Sequence, residues 1–188
     1  MNLVKLGLAS ILTAGALFAG TYNVDTAHSN VGFKVKHLMI SNVSGKFDKF
    51  NGSFEYDEKT KQVKSLTGLI TVASVNTDNA KRDGHLKSAD FFDASKFPEI
   101  KFTLNKIEGD YAYGSLLIHG ISKNVKLDFE NNGSIIDPWG NTRVGLALNG
   151  KINRGDFGLK YNSVLEAGGV MIGEKIKLDI ELEGVLAK

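Results

Sequence analysis

From Tyr22 to the end of the chain, apolar and polar residues alternate in short runs. Val31, Phe33, Val35 and His37 share one face, and Gly32, Lys34 and Lys36 the other. Ile100, Phe102 and Leu104 alternate with Lys101, Thr103 and Asn105, and Val125, Leu127 and Phe129 with Lys126 and Asp128. Ile176, Leu178, Ile180 and Leu182 alternate with Lys175, Lys177, Asp179 and Glu181. A period of two with one charged face predicts antiparallel strands with one wet side. Asn51-Gly52, Glu108-Gly109-Asp110, Asn132-Gly133 and Asp137-Pro138-Trp139-Gly140 supply turn residues between such runs. One segment, Asp78 to Pro98, does not alternate; its polar density and the spacing of Ala80, Leu86 and Ala89 predict a short helix or helical turns, interrupted at Gly84 and ended before Pro98. No long helices separate the strands, which argues against parallel βαβ winding. A domain of such strands buries one face as a sandwich or as a closed barrel, and periodicity does not choose between them.

Residues 1–19 stand apart. One cation, Lys5, precedes an apolar run from Leu6 to Phe18 that ends in small residues. This is the layout of a secretory signal peptide, cleaved after Ala19, and it is too short for a membrane span. The expectation is an exported, periplasmic domain over residues 20–188. Composition narrows its role. With 23 basic and 21 acidic residues the net charge is +2, too balanced for a nucleic-acid binder. Cysteine is absent, which removes disulfides, thiolate nucleophiles, thiolate metal sites and an acylated N-terminal cysteine.

Catalytic signatures are missing from the sequence. The four histidines, His28, His37, His85 and His119, show no metal-ligand spacing, and there is no nucleophile elbow or phosphate loop. Asp83, His85, Asp90 and Asp93 crowd together, a pattern better suited, with Arg82, to capping and bridging a short helix than to a metal or acid–base site. His37 ends an apolar face, so alternation points it inward; it reads either as a polar contact for a ligand head or a lone carbonyl, or as a structural histidine at the barrel end satisfied by a backbone carbonyl. His28-Ser29 reads as a structural hydrogen-bonding pair at the first strand. Arg154 and Asp156 read as a structural pair, with a charged contact at a cavity mouth as the alternative.

Four blocks carry a family resemblance: YNVDTAHSNVGFKVKH; RDGHLKSADFFDASKFPEIKF; GSLLIHGISKNVKL; and NRGDFGLKYN followed by GGVMIGEKIKLDIELEG. Together they span essentially the whole mature chain, which resembles the YceI-like family of bacterial secreted proteins. The resemblance implies a closed, lipocalin-like antiparallel β-barrel of about eight strands with a short helical insertion. It also implies an elongated apolar cavity holding one long lipid, a polyisoprenoid or an isoprenoid quinone, with no catalytic activity and no catalytic cofactor. A ten-residue strand, about 33 Å long and tilted about 40°, gives a barrel about 25 Å high, enough for an extended tail. On this reading the inward sets Phe33, Val35, Ile70, Val72, Phe102, Leu104, Leu116, Ile118, Leu146, Leu148, Leu178 and Ile180 line the cavity. Leu86, Phe91 and Phe92, with Val170, Met171 and Ile172, close an end, and His37 and Arg154 are the head-group candidates. The partners expected are the lipid and, transiently, a membrane or membrane protein, for a monomer or homodimer. Rival readings are a fatty-acid or fatty-amide binder, a packed barrel with a stress-related interaction role, and an enzyme using His37 or the Asp83–His85 cluster.

Overall fold

Eight antiparallel staves close on themselves in the computed structural model, which describes residues 19–164 and 170–188. The expected leader therefore lies outside the described residues except for Ala19. The first stave is split: β1 (Gly20–Val24) and β2 (Asn30–His37) run in line along one neighbour, β11 (Ile172–Leu186). The second is split as well, with β3 (Ser41–Phe47) paired to β2 and β4 (Phe50–Asp57) paired to β1. The wall continues through β5 (Gln62–Thr71), β7 (Glu99–Glu108), β8 (Tyr111–Ile118), β9 (Ile121–Ile136) and β10 (Thr142–Asn153) to β11, which returns to β1 with Tyr22 opposite Leu186. Closure pairs each stave with its neighbours, but the outer side of β3 is paired only at Lys46 and Phe47, to β6 (Val75–Asn76). Between β5 and β7 lie the two-residue β6 (Val75–Asn76), paired to the end of β3, and the only α-helix among the described residues, α1 (Ala80–Lys87). No described helix is long and apolar enough to cross a membrane.

Strand direction sorts the connections to two ends. Tight turns after β4, β7 and β9 gather at one end. The β2–β3 turn, α1, the β8–β9 turn and the long β10–β11 connection gather at the other, the mouth. The first end is plugged. Tyr22 stacks on Phe54 with ring centroids 5.4 Å apart and meets Tyr56 edge-on at 6.0 Å. These rings pack with Leu66, Ala112, Leu127, Val144, Leu146 and Leu148. Each fully buried apolar side chain of this size contributes about 1.5–3 kcal/mol.

Three local expectations change. Asn51-Gly52 lies inside β4 rather than in a turn, with Gly52 opposite Gly68 of β5. Asn132-Gly133 lies inside β9, where the pairing with β10 slips by one residue between Gly145 and Leu146. Gly133 takes φ +86° there, so its turn chemistry serves a bulge. The helix runs through Gly84 without a break. Its N-terminus is capped by Asn79, whose side chain accepts from the Arg82 backbone N–H at 3.0 Å. A clasp also pins the helix: Thr77 donates to Asp83 at 2.6 Å, and Arg82 donates to the Thr77 hydroxyl and carbonyl at 2.7 Å each. Cap and clasp outweigh the cost of one helical glycine, about 1 kcal/mol.

Candidate functional site

Above the plug the interior stays hollow. The cavity there has a volume of about 180 Å³ and is surrounded by the strands of the barrel wall, with α1, the turn after it and the 157–159 segment at the mouth end. Its wall is hydrocarbon and aromatic; Asn51 and Thr67 border it through their backbone, beside the inward-facing Gly52 and Gly68, and Arg154 is the charged residue among those that line it. A contrast in burial marks the boundary. Tyr22, Phe54, Tyr56, Val144 and Leu146 at the centre of the plug are fully buried, whereas inward residues at mid-barrel, such as Phe33, Val35, Ile70, Phe102, Leu178 and Ile180, are only half-buried because they face empty space.

Most of the residues expected to line a cavity do line it. Phe33 and Val35 come from β2, Ile70 from β5, Phe102 from β7, Leu116 and Ile118 from β8, Leu148 from β10, and Leu178 and Ile180 from β11. Leu86, Phe91 and Phe92 reach it from α1 and the turn that follows. That turn is held by backbone bonds, including Phe92 N–H to the Leu86 carbonyl at 3.0 Å, and by aromatic contacts. Phe92 meets Phe47 at 6.0 Å, and Phe91 meets Tyr161 at 4.9 Å.

Five expected lining residues do not line the cavity. Leu146 is wholly buried in the plug, and Leu104 packs against the same cluster. Val72 falls in the 3₁₀ turn Val72–Ser74 just after β5, where alternation no longer applies, and is buried beside Val75 and Ile100. Met171 enters through its backbone, accepting from Leu38 N–H and donating to the Ser163 carbonyl. His37 has inward parity but ends β2 beyond the hollow, between Ser41 and Ile172. Conversely, Val24, Phe47, Phe50, Leu66, Ile152 and Ile176 belong to the wall. Ile152 and Ile176 continue the alternating faces already visible in sequence. Phe157 and Leu159 also belong, from an irregular segment with no period to read.

Arg154 sits at the mouth end, 5% exposed, at the start of the 3₁₀ turn Arg154–Phe157. It does not pair with Asp156, which is exposed. Its guanidinium donates instead to the carbonyls of Leu159 (2.6 Å), Tyr161 (2.8 Å), Gly173 (3.1 Å) and Ile172 (3.4 Å). Burial pulls its pKa below the ordinary value for arginine. It is thus a staple between the β10–β11 connection and β11, and a cation on an apolar wall.

The acidic cluster around α1 does not converge. Asp83 serves Thr77, His85 meets Asp90 at 3.0 Å, and Asp93 serves Ser95 and Lys96. The one carboxylate–histidine group with metal-like spacing among the described residues is Asp25, His28 and Glu183, and Arg143 bridges its two carboxylates. A guanidinium there supplies the charge a metal would. The His28-Ser29 expectation matches this arrangement: His28 meets Asp25 at 2.8 Å, and Ser29 accepts from Glu183 N–H at 2.9 Å.

Comparison with known proteins agrees with this geometry. Residues 22–184 match the YceI-like domain. A UPF0312 protein of Staphylococcus aureus (strain MSSA476) is 38% identical over 163 residues, 86% of this chain and 95% of the relative. The crystal structure of a Campylobacter jejuni YceI protein is 39% identical, with a TM-score of 0.70 over 87% of this chain and 96% of that one. A polyisoprenoid binding domain from Saccharophagus degradans shares the fold at 16% identity, with a TM-score of 0.68 over 90% of this chain and 99% of its own.

Proposed function

Because the chain belongs to the YceI-like family, we propose that it holds one long-tailed lipid, a polyisoprenoid or an isoprenoid quinone, in the barrel interior and carries it through the periplasm after loss of residues 1–19. The observation that carries the reading is the enclosed apolar hollow above an aromatic plug. Such a space offers nothing to a polar substrate, and its hydrocarbon lining suits an apolar tail.

Taking a tail out of water gains about 0.8 kcal/mol per methylene. A bilayer offers much the same gain, so the net transfer from membrane to barrel is a small difference between two large terms. That suits a carrier, which must also release its cargo. Selectivity then rests on the fit of the tail and on polar contacts to the head. Arg154 is the head contact that this reading assigns, since it alone brings a charge to the lining. Among the described residues that line the cavity none pairs a base with a nucleophile, so the reading is of a binding protein rather than an enzyme.

Transfer tests it. Delipidated protein is incubated with vesicles containing a quinone, separated from them, and read for quinone absorbance. The proposal expects about one quinone per chain. A folded protein that returns from the vesicles empty counts against it.

A further inference from the structure

The mouth carries an apolar fringe that the barrel itself does not need. The β2–β3 hairpin turns through Leu38, Met39 and Ile40, closed by Ile40 N–H to the His37 carbonyl at 3.2 Å. Leu38 and Met39 take φ +50° and +64°. Asn-Gly is the ordinary choice for such a turn, because left-handed backbone strains larger side chains. Here the strain is accepted and the side chains are apolar, 37%, 55% and 82% exposed in chain order. A second tip stands alongside. Leu38 N–H donates to the Met171 carbonyl at 2.8 Å and Met171 N–H to the Ser163 carbonyl at 2.9 Å, which brings Val164, 83% exposed, beside the hairpin. Ile172, next to Met171, lines the cavity, so the fringe is continuous with its mouth.

The wall below the fringe is cationic. Lys151, Lys177 and Lys34 stand in register across β10, β11 and β2, directly opposite one another on the outer face. Like charges in that position repel. Lys36 and Lys175 lie nearer the fringe on the same two strands, β2 and β11. Among the described residues one of these five lysines has an ion-pair partner: Lys34, 3.6 Å from Asp179. Glu174 is the other acid on this stretch, and farther along β11 the sign reverses through Asp179, Glu181 and Glu183 toward the plug.

We infer that this end docks on a bilayer with anionic head groups, the Leu38–Ile40 and Val164 tips entering the interface and the lysine row lying over the head groups. Exposed apolar tips beside a basic face are the signature of interfacial binding. The inference rests on the carrier reading for its purpose, since it sets the cavity mouth against the place from which a lipid comes.

Flotation of the mature protein with vesicles tests it. Phosphatidylethanolamine–phosphatidylglycerol vesicles should carry the protein up the gradient, and added salt should release it; phosphatidylcholine alone should retain much less. Lys34→Gln and Lys177→Gln should each weaken binding about fivefold. The pair Met39→Ser and Ile40→Ser should weaken it on both lipids, with the circular dichroism spectrum and thermal midpoint unchanged. Absence of the parent protein from the anionic vesicles, or variants that float like the parent, overturns the docking. A protein that takes up quinone but ignores vesicles loses the docking and keeps the carrier reading. One that docks but takes up no lipid loses the carrier reading and keeps the docking.

Discussion

Gly52 and Gly68 face each other across the β4–β5 ladder, and both turn to the inside of the barrel. The two are not equivalent. A Cβ on Gly52 would lie 2.7 Å from the Thr67 carbonyl oxygen, whereas one on Gly68 would meet nothing within 4 Å. Gly52 is a close approach of backbone; Gly68 is an absence of side chain that leaves room in the cavity.

Gly68→Phe should therefore fill the hollow without disturbing its neighbours. The expected result is a folded barrel of unchanged or slightly higher thermal midpoint that no longer carries lipid. Lipid extraction and a melting curve on the same sample check it.

The plug and the cavity should respond oppositely. Leu146→Ala removes packing in the plug and should cost about 2–5 kcal/mol while leaving lipid stoichiometry intact. Phe33→Asp places a carboxylate on the cavity wall and should abolish lipid retention. Urea unfolding and lipid counts on both variants separate the two roles.

His37→Ala should leave the preference among lipid heads unchanged, because the side chain lies off the cavity wall. Competition between a quinone and an alcohol of the same tail reads this out. A changed order of preference would return His37 to the head-group site.

Arg154→Lys should not substitute for arginine. Four carbonyls share the guanidinium fork, and an ammonium has three donors radiating from one point. Each carbonyl left buried without a donor costs about 1–3 kcal/mol, so destabilisation of about 3 kcal/mol or more is expected for Arg154→Met and a smaller loss for lysine. Equilibrium unfolding measures both.

Acid stability should depend on Arg143. The guanidinium joins Asp25, Asp137 and Glu183 at 2.9, 2.7 and 2.5 Å. Hydrogen bonds from His28 first, then Arg143, hold the Asp25 carboxyl at about 2 against an ordinary 3.8, and Arg143 holds Asp137 well below that ordinary value. A carboxyl depressed by folding stabilises the native state at pH values above its unfolded pKa. That contribution is lost as pH falls from about 3.8 through about 2. Arg143→Met should lower stability at neutral pH and flatten its decline over that acid range. Thermal midpoints measured across the range provide the check.

Strand content was legible because β2, β7 and β11 each show one apolar face to the interior and one charged face to water. What alternation does not encode is depth. Leu146 and Leu148 have the same parity and neighbouring positions, yet the first belongs to the plug alone and the second also reaches the hollow. Parity told the inside of the barrel from the outside, but which inward residues meet empty space depends on the rings of Tyr22, Phe54 and Tyr56 filling one end. Arg154 was legible as a charge out of place, but its partners were not: they are backbone carbonyls up to 19 residues away. The Arg143 hub joins side chains as far apart as Asp25 and Glu183, and no local spacing announces it.

The central claim is that the hollow is a lipid site. Its most direct test is native mass spectrometry of the mature protein, purified without detergent from its own host, followed by identification of whatever is released. The account predicts one lipid per chain with a long apolar tail, isoprenoid by its mass spacing, and no such adduct on Gly68→Phe. A folded parent protein that is empty as isolated and stays empty after exposure to polyprenols and quinones would contradict it.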